Sequence, residues 1–405
     1  MMLTKTRAVA GVMAAMLIVG CGGGRDTTAA RSAVPTSGPS GAVSPVPSTA
    51  TLQGDVLTFR GNAGRTGEMP GPGPTGSPAA AWTFHAAAPF HSSPMVQDGV
   101  VFAVSGDGIV HAIALATGDE RWQTDLGASA GGSPLLIDDL VVVGDDLGIV
   151  HAIATTDGSE RWTAATDGSI NGAPVTDGER IAVATGTGTA YAMDPTSGRI
   201  LWQVRLPGAV STSPTLADGT LYVGAAANVV AIDVADGTLR WSSRVASSGR
   251  TGTPAVADGT VYAAAGLDSA DEAEHGVVAI DVESGAIRWR YESPTKAQIY
   301  TPAVAHGRAV VIGHDSLVVA LDTKSGSVAW SVTAPAEIEA LPVFVGDTVY
   351  VVGNGGPAQA LDVANGRVEW SVEIPGTPFA PVVVDGYLIV ATDLGLLYAI
   401  GGPER

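Results

Sequence analysis

Between about residue 93 and residue 400 the chain alternates short apolar runs with pairs of polar or glycine residues. One unit shows the pattern. Ser93-Pro94-Met95-Val96-Gln97 is a short strand, and Asp98-Gly99 after it is a two-residue hairpin turn, because both residues tolerate positive φ. Val100 to Val104 predicts a second strand, Gly106-Asp107-Gly108 a turn, and Ile109 to Ala114 a third strand. Thr117-Gly118 turns the chain again, and Glu120-Arg121-Trp122 opens a fourth strand. No stretch after residue 55 carries the 3.6-residue apolar period of a helix.

The unit recurs. The tryptophans are Trp82, Trp122, Trp162, Trp202, Trp241, Trp289, Trp330 and Trp370, spaced by 40, 40, 40, 39, 48, 41 and 40 residues. Every tryptophan of the chain belongs to this ladder, and a period near 40 fits four strands and their turns, which is one propeller blade. First-hairpin turns return at Asp177-Gly178, Asp218-Gly219, Asp258-Gly259 and Asp385-Gly386. The predicted fold is all-β, an eight-bladed propeller of four-stranded antiparallel blades over residues 54–405. The tryptophans read as packing between neighbouring blades.

The ends of the chain predict how the ring closes. After Trp370 only three strands remain: Thr377 to Val384, Tyr387 to Ala391, and Leu396 to Ile400. The missing fourth is available around Ala81-Trp82-Thr83-Phe84, and pairing it there leaves no open edge between first and last blades.

These units resemble the PQQ-like propeller repeat. Its signature stands here as Ala192-Met193-Asp194 with Ser197-Gly198 and Trp202, and again as Ala231-Ile232-Asp233, Ala279-Ile280-Asp281, Ala320-Leu321-Asp322 and Ala360-Leu361-Asp362, each followed by its glycine and tryptophan. Ala114 and Ala154 replace the aspartate in the first two units, and Phe59-Arg60-Gly61-Asn62-Ala63-Gly64-Arg65-Thr66-Gly67 resembles the family's N-terminal lead-in. The aspartates are expected to accept hydrogen bonds from the N–H groups of the turns that follow.

The N-terminus changes the picture from fold to location. Lys5 and Arg7 precede an apolar run from Ala8 to Val19, too short to span a bilayer as a helix. The run ends in Leu17-Ile18-Val19-Gly20-Cys21, which resembles the bacterial lipobox, and Cys21 is the only cysteine. We expect residues 1–20 to be a lipoprotein signal peptide and Cys21 to be the lipidated mature N-terminus. Residues 21–53, rich in Gly, Ser and Pro, are expected to be a disordered tether. The protein is thus expected to be extracytoplasmic and held on a membrane by lipid. Net charge is −19, becoming −21 when Lys5 and Arg7 are removed. Such an acidic surface repels phosphates and excludes a nucleic-acid partner.

Loops joining second to third strands, and fourth strands to the next blade, share one face, which in the family surrounds a central funnel. His91, Asn171, Arg250, Tyr300, His314 and Asp393 are the candidate ligand or partner residues there, with Phe90, Asp107, Asp145, Asp146, Lys296 and Asp315 beside them. His111 and His151 stand in one register where other units place Val or Tyr, so they read as packing. The loop from Asp268 to His275 is acidic but lacks the alternate ligand spacing of a calcium loop. PQQ-dependent alcohol dehydrogenases carry adjacent cysteines and a tryptophan beneath the cofactor. Here there is one cysteine and no tryptophan outside the ladder, so no cofactor, metal or catalytic residue is assigned. The best functional analogy is with BamB-type lipoproteins of outer-membrane β-barrel assembly, which implies a scaffold for protein partners. A ligand- or PQQ-binding enzyme using the funnel is the alternative.

Overall fold

A computed structural model describes residues 54–402. The predicted signal segment, Cys21 and the tether lie outside the described residues. The chain forms eight four-stranded antiparallel sheets arranged as a propeller. Blade 1 comprises Met95–Gln97, Val100–Val104, Ile109–Ala114 and Glu120–Asp125, and the next six blades repeat the order. In the eighth, Val382–Val384, Tyr387–Ala391 and Leu396–Gly401 are joined by Ala80–His85, with Thr83 opposite Tyr398. The predicted closure therefore holds.

Burial falls from axis to rim. Second and third strands are almost wholly buried and built of Val, Ala and Ile, whereas outer strands alternate exposed and half-buried residues. Small and β-branched side chains suit this arrangement, because sheets pack closely face to face.

The tryptophan ladder supplies the contact between blades. Trp82 Nε1 donates to the Leu115 carbonyl of the next blade at 2.7 Å, and Trp122, Trp162, Trp202, Trp241, Trp289 and Trp330 do the same around the ring. Each indole face is covered by the turn glycine of that next blade. A Cβ on Gly118, Gly198 or Gly326 would lie 2.4–2.8 Å from the ring, and all three sit at positive φ. Glycine is thus needed twice over, for backbone conformation and for indole contact. Trp370 has no such turn ahead of it and donates to Pro74 of the lead-in at 3.1 Å. The expected aspartate turns are present: Asp194 Oδ1 accepts from the Thr196 and Ser197 N–H groups, and Asp322 from those of Lys324 and Ser325.

Each blade turns the free edge of its innermost strand toward the axis. Residues 54–76 run across these edges from blade to blade. Val56 exchanges both backbone hydrogen bonds with Val96 at 2.8 and 2.9 Å. Leu136 then donates to Leu57, Leu216 to Ala63, Val256 to Gly64, Val304 to Thr66 and Phe344 to Gly67, all at 2.7–2.9 Å, and Asp385 to Gly71 at 3.3 Å. Seven of the eight inner edges are bound by one segment.

Two arginines fasten that segment. Arg65 is fully buried and uses all five N–H donors: to Pro214, Ala173, Pro174 and Phe59 carbonyls and the Thr58 hydroxyl, at 2.7–3.2 Å. Arg60, 1% exposed, donates to the carbonyls of Arg65 and Pro302. Burial pushes both guanidiniums down to about 9, and for Arg65 the charge of Arg60 adds to it. Neutral oxygens rather than carboxylates are their acceptors, and three of these are the carbonyls of Pro174, Pro214 and Pro302, the prolines that precede inner strands. Replacing Arg65→Met strands several buried acceptors and is expected to cost about 3 kcal/mol in denaturant unfolding. Arg65→Lys should recover little, because an ammonium has no planar fork. A loss below about 1 kcal/mol would show that the clamp is dispensable.

Candidate functional site

The loops joining second to third strands, and those joining blades, meet on the funnel face. A cavity of about 170 Å³ lies there, lined by His91, Asn171, Glu339 and Phe379, with Ser93, Ser133 and Ser213 in its wall and Phe59 of the lead-in as part of its floor. The serines belong to a belt that joins blades: the Ser93 N–H donates to Ser133 Oγ at 2.9 Å, Ala173 N–H to Ser213 Oγ, and Ser213 N–H to Thr253 Oγ1. Arg65 lies beneath, its guanidinium carbon 5.4 Å from the Phe59 ring centroid. The lead-in therefore closes the funnel from below. What remains is smaller than the roughly 300–1,000 Å³ of drug-sized ligand sites.

Of the six predicted site residues, His91 and Asn171 line this cavity. The His91 ring meets Phe379 edge-on at 6.1 Å. Tyr300 and His314 stack on one another at 4.5 Å, with Glu337 3.9 Å from the histidine. Burial pushes the Tyr300 phenol up, reinforced by Glu339 and Glu337. Arg250 is occupied by Asp268 and by the Ser211 hydroxyl at 2.9 Å. Asp393 accepts from the Thr377 N–H at 2.6 Å, which holds its own loop. Phe90 and Asp145, expected on the open face, are buried core residues. Leu147 and Leu394, at tips of second-to-third-strand loops on this face, are 73% and 59% exposed.

The acidic loop is tied to its neighbours. Glu274 accepts from the N–H and hydroxyl of Ser247, and buried His275 bonds the carbonyls of Lys296 and Ser269. Among the described residues no group of three His, Cys, Asp or Glu side chains is placed to hold a metal ion. The residues present do not fit PQQ either. Phe59 of the lead-in lines the funnel cavity, and seven of the eight indoles are packed against the turn glycine of the next blade rather than open to a ligand.

His111 and His151 do more than fill space. His111 Nδ1 lies 2.7 Å from Glu120 and its Nε2 lies 3.2 Å from Ser105 Oγ. The connectivity is that of a Ser-His-acid triad, but Ser105 is 1% exposed and donates to Asp107 Oδ1 at 2.5 Å. In blade 2 the same positions hold Asp145, His151 and Glu160, and His151 bonds both carboxylates at 3.2 and 3.0 Å. An aspartate in the serine's place makes this a clasp between strands, not a nucleophile. Blade 3 solves the same position with Thr185 and Tyr191, around Asp167. Burial pushes the Asp167 carboxyl up, but the Thr189, Thr187 and Thr185 hydroxyls outweigh it and hold the group down to about 2. The alternating Thr185-Gly186-Thr187-Gly188-Thr189 run, which the sequence reading did not single out, marks that cluster in the sequence.

Comparison with known proteins places this architecture. The family model described as outer membrane protein assembly factor BamB matches residues 75–171, 146–299 and 273–402. The chain belongs to the BamB family. No curated protein matches it in sequence. The BamB structure from Moraxella catarrhalis superposes with a TM-score of 0.68 at 20% identity, covering 82% of this chain and 99% of that one. The computationally designed propeller Ika8 gives 0.70 at 15% identity, over 78% and 97%. The quinohemoprotein alcohol dehydrogenase ADHIIG of Pseudomonas putida HK5 gives 0.69 at 14% identity, over 87% and 81%. At these identities the structures share the fold, and this BamB-family propeller takes no activity from them.

The clasp has a direct test. His151→Tyr alone leaves Asp145 buried without its imidazole and is expected to cost about 3 kcal/mol. Adding Asp145→Thr removes the stranded carboxylate and should recover most of that loss in thermal or denaturant unfolding. If the double variant is no better than the single, the two positions are not coupled.

Proposed function

We propose that this protein is a non-catalytic scaffold of the bacterial cell envelope, anchored by lipid on Cys21 and binding other proteins through its funnel face. One observation carries the reading. The funnel face pairs a shallow cavity containing Phe379 with strongly exposed leucines at Leu147 and Leu394. Apolar residues at loop tips around a closed floor suit the core of a protein interface better than a small-molecule pocket. Membership of the BamB family supports the same role, since the family description names outer membrane protein assembly. The two-residue turns on the opposite face offer no comparable loops.

A photo-crosslinking amino acid at Leu147, Leu394 or Phe379 is expected to capture discrete envelope proteins from detergent-solubilised membranes. The same probe on an outer strand, at Gln203, should not. Equal capture at both places, or none at the funnel, would remove the funnel from the interface. The anchor is tested separately: Cys21→Ser is expected to move the protein from the membrane to the soluble fraction. Retention of the variant in the membrane at unchanged mass would refute lipidation.

A further inference from the structure

Among the described residues, blade 3 is the one blade whose inner strand makes no backbone hydrogen bond to the lead-in. Val175–Thr176 is the innermost strand of blade 3, with Thr176 opposite Ile181 of the second strand. Blade 2 has the same register, Leu136 opposite Val141, and there the Leu136 N–H points to the axis and donates to Leu57. The Thr176 N–H and C=O therefore point to the axis as well. The lead-in does not meet them. Its backbone bonds pass from Leu57 at blade 2 to Ala63 at blade 4, because residues 58–65 coil inward on the Gly61-to-Thr58 and Arg65-to-Asn62 hydrogen bonds.

A cavity of about 400 Å³ opens at that gap. Leu57, Ala63, Leu135 and Ile137 give it apolar walls, and Thr176 presents the free edge. Leu57 is 38% exposed. The charged residues lining it are Asp55 and Asp138, with no Lys or Arg among them.

We infer that this gap is a docking site for an extended cationic segment of another polypeptide, added as a short strand to the inner edge of blade 3. The edge supplies main-chain pairing, which gives affinity without sequence preference. Alternation along a strand then sends one side chain into the apolar walls and its neighbours toward the carboxylates. Apolar residues alternating with Lys or Arg fit both features. A second copy of this chain does not, since its net charge of −19 opposes self-association. The gap lies toward the hairpin-turn face, opposite the funnel loops, so this inference does not rest on the funnel reading.

The test uses the full chain and a fluorescein-labelled, end-capped peptide, Lys-Val-Lys-Val-Lys, followed by anisotropy and by amide hydrogen exchange. The Asp55→Asn/Asp138→Asn variant removes the charge with little change of shape. Asp55 Oδ1 accepts from the Asp98 N–H, which an asparagine oxygen also does, and Asp138 sits at φ 51°, which asparagine tolerates. The lysine peptide is expected to bind and to slow exchange at the Thr176 amide. The double variant should weaken it about fivefold, and N-methylation of the central valine about tenfold. Equal binding of Glu-Val-Glu-Val-Glu, indifference to N-methylation, protection at funnel amides instead of Thr176, or no binding at millimolar peptide would each overturn the inference. Failure of funnel crosslinking leaves all these outcomes unchanged.

Discussion

The constraint on which the molecule depends is the unpaired edge that every propeller blade turns toward its axis. Eight such edges converge, and backbone groups held there without partners would each cost on the order of 1–3 kcal/mol. This chain meets the constraint with its own lead-in, which accepts a backbone N–H at seven blades in turn and donates back at Val96 and Phe344. Arg65 makes the arrangement rigid. Its five N–H groups reach the blade 3 and blade 4 carbonyls and two points of the lead-in itself. Blades that contact only their neighbours through tryptophan and glycine thereby gain a common member.

Function follows from what the lead-in covers and what it leaves. It raises the funnel floor to Phe59, so the funnel face is a shallow surface with apolar loop tips rather than a deep ligand chamber. Its backbone makes no hydrogen bond to the inner strand of blade 3, and a cavity with apolar walls opens there. The fold shared with quinoprotein dehydrogenases is thus compatible with a different use of the axis.

The strands, turns and ring closure were legible in the sequence because they obey short-range rules. Asp-Gly fixes a hairpin, a turn glycine fixes the indole contact, and three strands after Trp370 demand a fourth from elsewhere. The axis was not legible. Arginine is ordinarily a surface residue, and nothing near Arg60 or Arg65 in sequence reveals that proline carbonyls 109 to 242 residues away will surround them. The funnel was half legible. His91 and Asn171 fall where loop order puts them, whereas Asp393 and Arg250 are taken by partners in their own loops or neighbouring blades. His111 and His151 looked like packing because the position accepts valine elsewhere. Their acid partners, Glu120 and Glu160, lie across a strand pair and only the register brings them together.

The central claim is that one segment joins the blades into a single cooperative unit. Native-state hydrogen exchange at the inner-strand amides tests it most directly. Leu136, Leu216, Val256, Val304 and Phe344 all donate to the lead-in, so their amides should exchange together, through one global opening with a common free energy and denaturant dependence. Exchange at separate free energies, blade by blade, would mean that the repeats open as neighbours do in an uncapped array and that the lead-in does not bind the ring together.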